Sequence, residues 1–236
     1  MNLNKSLIAF FVALIPLFII YKIAFKEEYV YLPIGDALAK GYTPFEDYNS
    51  SYVDYYYDYL KSKNKNYVIN KNYISEDIRI KDLASEFSNI GESNIKEAVH
   101  EADVITLSIG SEELFSKLRS SYNLKYLDNT KNIKFIDEMF ISYEELVKNM
   151  RSMTKKPVYL IGYYSPITLN DENQNYIISL FNYLDSKFEF LEEKYDVNYV
   201  KISDGFINNS SYLPNINNAF PSLDGYNYIA EQIKKS

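Results

Sequence analysis

Short apolar runs alternate with amphipathic stretches along most of this 236-residue sequence. Short runs rich in Val, Ile and Tyr are typical of strands, and apolar residues three or four positions apart are typical of helices. Their alternation predicts βαβ units, and therefore a parallel sheet covered by helices. The predicted strands are residues 29–35, 67–70, 103–110, 157–164 and 197–203, and the predicted helices are residues 51–63, 80–87, 94–102, 135–153, 175–195 and 222–235.

This order predicts an α/β protein of the flavodoxin-like type, with three α/β/α layers around a five-stranded, mostly parallel sheet. Ligands of such sheets bind in the crevice beyond the carboxyl ends of the strands. The residues that directly follow each strand are therefore the first place to look for chemistry.

An uncharged stretch precedes the first strand. Residues 6–21 carry no charge, and apolar residues resume after Lys22 as far as Phe25. About 20 apolar residues suffice to span a bilayer, so we expect one transmembrane helix at about residues 6–25. The alternative is a cleaved signal peptide, but no small-x-small cleavage site follows the apolar run. The expected organisation is an N-terminal membrane anchor, residues 1–26, and one globular domain, residues 27–236.

Composition excludes several classes of function. The net charge is −7, and residues 1–26 hold three lysines and no acid, so the remainder carries about −10 and is a poor partner for nucleic acid. The absence of cysteine excludes disulfides and thiolate chemistry, and a single histidine, His100, excludes a multi-histidine metal site. We expect no cofactor and no metal. The residue usage suggests a bacterium, and the expected location is the cell membrane, with the domain outside the cytoplasm.

Three segments resemble one family. In chain order they are "GDALAKGY" (35–42), "SIGSEEL" (108–114) and "NNAFPSLDGYNYIA" (217–230). They resemble the Gly-Asp-Ser, Gly-x-Asn-Asp and Asp-x-x-His-Pro blocks of the SGNH, or GDSL, hydrolases. Each segment follows a predicted strand or lies in a predicted loop, and their order and spacing fit along essentially the whole of residues 29–236. The resemblance implies the SGNH hydrolase fold and hydrolysis of acyl esters by a Ser-His-Asp arrangement.

The resemblance also implies that the residues that would perform this hydrolysis are replaced. Scaffold residues such as Gly35, Asp36 and Gly110 persist, but a methyl group stands where the serine nucleophile would be. A carboxylate stands where the family uses an asparagine to donate to the oxyanion, and it would repel that charge. The replaced positions are Ala37 (serine), Ser75 (glycine of the oxyanion hole, with Asn94 as a rival alignment), Glu112 (asparagine), Asn217 (acid) and Phe220 (histidine).

Two functions remain open. The first is a membrane-anchored, catalytically inactive SGNH-like protein that binds a protein partner or an acylated glycan or lipid at the bacterial cell envelope. The second is a divergent envelope esterase that uses a carboxylate pair or a hard cation at Asp36, Glu112 and Glu113, although a loop-bracing role for Asp36 and solvated glutamates are the simpler interpretation. In either case the expected ligand pocket contains Asp36, Ala37, Ser75, Ser111, Glu112, Glu113, Phe220 and Ser222.

Two further features have simple structural interpretations. His100 falls in the helix before the third predicted strand, where a solvent-side histidine is more common than a catalytic base. In "SYVDYYYDYL", helical spacing places Tyr52, Tyr56 and Tyr59 on one buried face. That spacing leaves Tyr55 and Tyr57 as candidates for an exposed aromatic contact.

Overall fold

A computed structural model describes residues 28–122, 129–167, 174–215 and 217–236. The strands are β1 (Tyr29–Gly35), β2 (Tyr67–Ile69), β3 (Tyr73–Ile74), β4 (Val104–Ser108), β5 (Val158–Ile161) and β6 (Asn198–Val200). The helices are α1 (Ala37–Lys40), α2 (Tyr52–Lys63), α3 (Ile80–Ser88), α4 (Asn94–Glu101), α5 (Ser111–Tyr122), α6 (Asn129–Met153), α7 (Gln174–Tyr195), α8 (Ser203–Asn208) and α9 (Leu223–Ile233), with a 3₁₀ turn at Ser210–Tyr212.

The strands form one sheet in the order β2-β1-β4-β5-β6, with every neighbouring pair parallel. The predicted parallel α/β sheet is thereby confirmed. The predicted number of strands needs a correction, because β3 also pairs with β1. Strand β2 pairs with the first half of β1 and β3 with its end, so the two short strands share one edge position of the sheet.

The topology divides the helices between the two faces of the sheet. The chain moves from β1 to β2 in one direction and then from β3 to β4, β5 and β6 in the other. Because such crossovers are right-handed, α2 covers one face and the helices α3 to α7 cover the opposite face. Contacts agree, since α2 packs against α9, whereas α6 packs against α3, α4, α5 and α7.

The strand and helix boundaries differ from the predictions at the carboxyl ends of the strands. Strand β4 ends at Ser108 rather than at residue 110, because Gly110 adopts a left-handed φ of 88° and turns the chain into α5. Helix α5 was absent from the predictions, and so were α1 and α8. Strands β5 and β6 each end three residues earlier than predicted, because the buried residues that follow them leave the sheet and approach the carboxyl edge.

Tyrosines form much of the core between α2 and the sheet. Tyr31 of β1 and Tyr56 of α2 meet edge to face with ring centroids 5.4 Å apart. Tyr52 is fully buried, and its hydroxyl lies 2.8 Å from the hydroxyl of Ser108. The predicted exposure of Tyr55 and Tyr57 is wrong, because both side chains are half-buried and pack against the core. The hydroxyl of Tyr57 also donates to the Tyr67 carbonyl at 3.1 Å.

No helix in the described part of the chain is long and apolar enough to cross a membrane. The predicted transmembrane helix at residues 6–25 lies outside the described residues.

Because β1 and β4 approach each other closely at Gly35, replacing this glycine should destabilise the protein much more than replacing the unhindered Gly91. A Cβ on Gly35 would overlap the Ser108 carbonyl oxygen and lie 2.7 Å from the Ala39 Cβ, whereas one on Gly91 would meet nothing within 4 Å. We expect Gly35→Ala to lower the free energy of unfolding by about 3 kcal/mol or more. Gly91→Ala should cost only about 1 to 2 kcal/mol, because its positive φ of 148° disfavours a side chain. Urea denaturation of both variants checks this, and equal losses would contradict it.

Candidate functional site

The carboxyl ends of β1 and β4 lie side by side where the strand order reverses. Gly35 and Ser108, the last residues of the two strands, are direct neighbours in the sheet. From this point α1 and α5 lead away in opposite directions around the sheet. A crevice therefore opens between their amino ends, at the position where open α/β sheets bind ligands.

Asp36 bridges the crevice beneath the surface. Its side chain is buried, with one carboxylate oxygen accepting from the Leu38 backbone N–H at 3.1 Å and the other from the Ser111 N–H at 2.9 Å. Its own N–H donates to the Ser108 carbonyl at 2.9 Å. One carboxylate thus caps α1 and holds the first residue of α5 against it.

The burial of Asp36 has an electrostatic consequence. Burial raises the pKa of its carboxyl to about 6, while the N–H groups of Leu38 and Ser111 favour the ionised form and act against the rise. The nearby charge of Glu112 adds to the rise. Asp36 therefore titrates close to neutral pH.

Ala37 is the first residue of α1 and is 5% exposed. The short helix ends at Gly41, which takes a left-handed φ of 89°. A helix amino terminus directed at the crevice would aim backbone N–H groups and a side chain at a ligand. At Ala37, that side chain is a methyl group.

The C-terminal segment lies beside the loop that follows α1. Hydrogen bonds join the two, from the Tyr226 hydroxyl to the Tyr42 carbonyl at 2.6 Å and from the Asn218 amide to the Thr43 carbonyl at 3.4 Å. The ring of Phe220 meets the ring of Tyr42 edge to face at 4.9 Å. Phe220 is thus placed close to the segment that holds Ala37, whereas Asn217 is exposed.

Ser75 lies at the same edge of the sheet. Its N–H donates to the Gly35 carbonyl at 3.0 Å, directly after β3, and its side chain is exposed. Asn94, the rival candidate, is the exposed first residue of α4 and makes no such contact with β1. The geometry therefore favours Ser75 over Asn94 as a neighbour of Asp36.

The remaining predicted pocket residues differ in their burial and in their hydrogen bonds. Ser111 is buried at the start of α5, Glu112 is exposed, and Glu113 accepts from the Ile80 N–H at 3.4 Å, at the start of α3. The hydroxyl of Ser222 donates to the Ser211 carbonyl at 2.9 Å and caps α9. Ser222 thus acts as a helix cap. Glu113 differs from the solvated residue that the sequence suggests, because it is half-buried and capping.

Two cavities flank α5 at this edge. The larger, of about 630 Å³, is lined by Asp36, Glu112 and Glu113 together with residues 76–79. The smaller, of about 350 Å³, lies towards the C-terminal segment and includes Arg119 and Phe220. Glu112 and Ser116 line both cavities, so one exposed face of α5 separates them.

His100 lies at the opposite end of the sheet from the crevice. It is exposed near the end of α4, which runs into the amino end of β4, the edge of the sheet opposite to the crevice. Ser75, Ser111 and Ser222 therefore have no histidine to activate them, since His100 is the one histidine of the sequence. Among the described residues, no group of three or more His, Asp or Glu side chains is arranged to hold a metal ion.

Comparison with known proteins identifies the fold. The model of the GDSL-like lipase/acylhydrolase family matches residues 31–233. The chain belongs to this family. The crevice between β1, β4 and the C-terminal segment lies within the matched residues. No curated protein matches the chain significantly in sequence.

Three solved structures are similar to this chain in fold. The lipase Lip_vut3 from a goat rumen metagenome superposes with a TM-score of 0.67 at 18% identity, covering 88% of this chain and 96% of that one. Axe2, an acetylxylan esterase from Geobacillus stearothermophilus, gives 0.62 at 16% identity, with 88% and 93% covered. LAE5, an alpha/beta hydrolase from the metagenome of Lake Arreo in Spain, gives 0.62 at 16% identity, with 89% and 95% covered. At these identities the likeness concerns the fold.

Sequence reasoning missed the residues that α5 contributes to the smaller cavity, chiefly Phe115, Ser116 and Arg119. The signal was present in the sequence, because Leu114, Phe115 and Leu118 are spaced as on one face of a helix. Because a strand was predicted as far as residue 110, the helix that begins directly after it was not recognised.

Asp36 predicts a distinctive dependence of stability on pH. Its pKa is raised on folding, so its contribution to stability is fully present below about pH 4 and is lost as the pH rises through about 6. Relative to Asp36→Asn, the wild type should lose up to about 3 kcal/mol of unfolding free energy over this interval. Urea denaturation between pH 3.5 and 7.5 measures the difference.

The matched control is Asp58→Asn, on the exposed side of α2. Its curve should run parallel to that of the wild type. If the Asp36→Asn curve is also parallel to the wild-type curve, Asp36 is not desolvated as described.

Proposed function

We propose that this GDSL-like protein is a membrane-anchored, catalytically inactive member of its family that works by binding at the bacterial cell envelope. One observation carries the proposal: the fold brings the two relevant segments together, but they present Ala37 and Phe220. Ester hydrolysis by the family mechanism needs a hydroxyl nucleophile and a base within hydrogen-bond reach. A methyl group and a phenyl ring supply neither.

The surroundings of the two residues support a binding role. Glu112 adds a negative charge near the place where an oxyanion would form, and a like charge opposes that intermediate. The hydrogen bonds that join the C-terminal segment to the loop after α1 are intact. The crevice thus keeps its shape but contains side chains other than the catalytic ones of the family. Such a crevice is suited to bind a protein partner or an acylated glycan or lipid.

The divergent-esterase alternative also rests on an observation. Asp36, Glu112 and Glu113 line one cavity, and the pKa of Asp36 lies near 6, within the range that suits a general base. Against it, both oxygens of Asp36 accept backbone hydrogen bonds, and Glu113 is engaged with the amino end of α3. We therefore give the binding role preference.

Rebuilding the family residues tests the first proposal. The full-length chain carrying Ala37→Ser, Ser75→Gly, Glu112→Asn, Asn217→Asp and Phe220→His should hydrolyse p-nitrophenyl acetate, whereas the parent should not exceed the buffer rate. The matched control omits Phe220→His alone. We expect the five-change protein to exceed this control by about 10²-fold, the usual contribution of a general base.

Hydrolysis by the parent would overturn the binding role. If Glu112→Gln, a change at an exposed residue, then abolished that activity, the carboxylate alternative would stand in its place. If the rebuilt protein folded but remained silent, the assignment of at least one replaced position would be wrong.

Membrane anchoring is the second part of the proposal. Residues 6–25 have the length and apolarity of a spanning helix. In a bacterial host, the full chain should stay in the membrane pellet after carbonate extraction, and a chain beginning at residue 27 should be released. Protease added to intact spheroplasts should digest the domain, because the proposal places it outside the cytoplasm. Release of a shortened full chain into the medium would instead identify a cleaved signal peptide.

A further inference from the structure

The smaller cavity is lined by an arginine that forms no ion pair among the described residues. Arg119, on α5, donates from Nη1 to the Asn217 carbonyl at 2.9 Å. Its Nη2 is buried and has no hydrogen-bond partner among the described residues, and none of their ion pairs involves Arg119. A charged donor that is buried without a hydrogen-bond partner destabilises the protein. This guanidinium is therefore suited to bind an anionic group, to which it can donate.

The walls of the cavity restrict which anion fits. Phe115 lies one turn from Arg119 on α5, and its ring meets that of Tyr164 at 5.0 Å. Phe220 and the buried Ala219 line the cavity from the C-terminal segment, and the Tyr164 hydroxyl fixes that segment by donating to the Ala219 carbonyl at 2.7 Å. An apolar group of a few carbon atoms therefore finds hydrocarbon on two sides.

Charge selects between kinds of anion. Glu112 lines the same cavity and adds one negative charge to it. Glu112 repels any anion there, but a monoanion can pair its single charge with the guanidinium, whereas the second charge of a dianion such as phosphate has no cationic partner in the cavity. A carboxylate also matches the planar donors of arginine in shape.

We infer that this cavity is a binding site for a small monocarboxylate with a short apolar body, held by Arg119 between Phe115 and Phe220. The inference rests on the proposed binding role and names the chemistry that the role would recognise. The site extends about 350 Å³, enough for an acid of a few carbon atoms. The free acid or the acid end of a larger molecule presents the same group.

Titration calorimetry on the full-length protein in a neutral detergent tests the inference with sodium hexanoate. We expect saturable binding of hexanoate, with no measurable binding of hexanamide, its uncharged counterpart. Arg119→Gln should weaken hexanoate binding at least about tenfold, the usual effect of losing a charge-assisted hydrogen bond. Arg119→Lys should recover only part of it, because an ammonium lacks the planar pair of donors.

Two further variants guard against loss of folding as an explanation. Glu112→Gln changes an exposed residue and should tighten hexanoate binding about two- to fivefold, because it removes the repelling charge. Lys81→Gln, an exposed position on α3 that lines neither cavity, should leave the affinity unchanged. An increase in affinity cannot come from unfolding.

The outcomes separate this inference from the proposed function. Equal binding of hexanoate and hexanamide, or hexanoate binding that is unchanged in Arg119→Gln, would overturn the carboxylate site. Phosphate binding in preference to hexanoate would overturn the selection for a monoanion. Either result leaves the binding role standing as long as the parent does not hydrolyse ester, and ester hydrolysis by the parent would overturn that role whether or not hexanoate binds.

Discussion

The arrangement of the crevice depends on one buried carboxylate. Asp36 receives backbone hydrogen bonds from the start of α1 and the start of α5, and thereby fixes the two helices that flank the reversal of strand order. Its burial is unfavourable for the charge, as the raised pKa of about 6 shows. Two backbone donors offset part of that cost. This residue is needed for the geometry whether or not any reaction takes place beside it.

The other hydrogen bonds that hold the crevice together also end on backbone groups and not on reactive side chains. Tyr164 and Tyr226 donate to the carbonyls of Ala219 and Tyr42, and burial raises the pKa of both hydroxyls well above the usual range, so they remain donors at neutral pH. Because these contacts end on carbonyl oxygens, the side chains at positions 37, 217 and 220 can change without loosening the frame. The physical basis for the proposed loss of hydrolysis with retention of fold lies in this separation.

The sequence predicted the layers, the parallel sheet and the family, because these follow from hydrophobic periodicity and from segments at strand ends. It predicted the strand ends poorly, since Gly110 and the residues after β5 and β6 remain apolar and buried after they leave the sheet. Tyr55 and Tyr57 could not be placed by helical spacing alone, because neighbouring strands and helices cover the sides of α2 as well as its inner face. The guanidinium of Arg119 is held by a contact with Asn217, 98 residues away, and no local pattern encodes such a contact.

The parallel arrangement of the strands also gives the domain a direction. Strand β1 begins at Tyr29, and the crevice opens at its other end, beyond Gly35. At about 3.3 Å per residue, these seven residues separate the two edges of the sheet by roughly 20 Å. Any tether attached ahead of β1 therefore joins the domain at the edge farthest from the crevice. A molecule recognised there would approach from the side facing away from the attachment point.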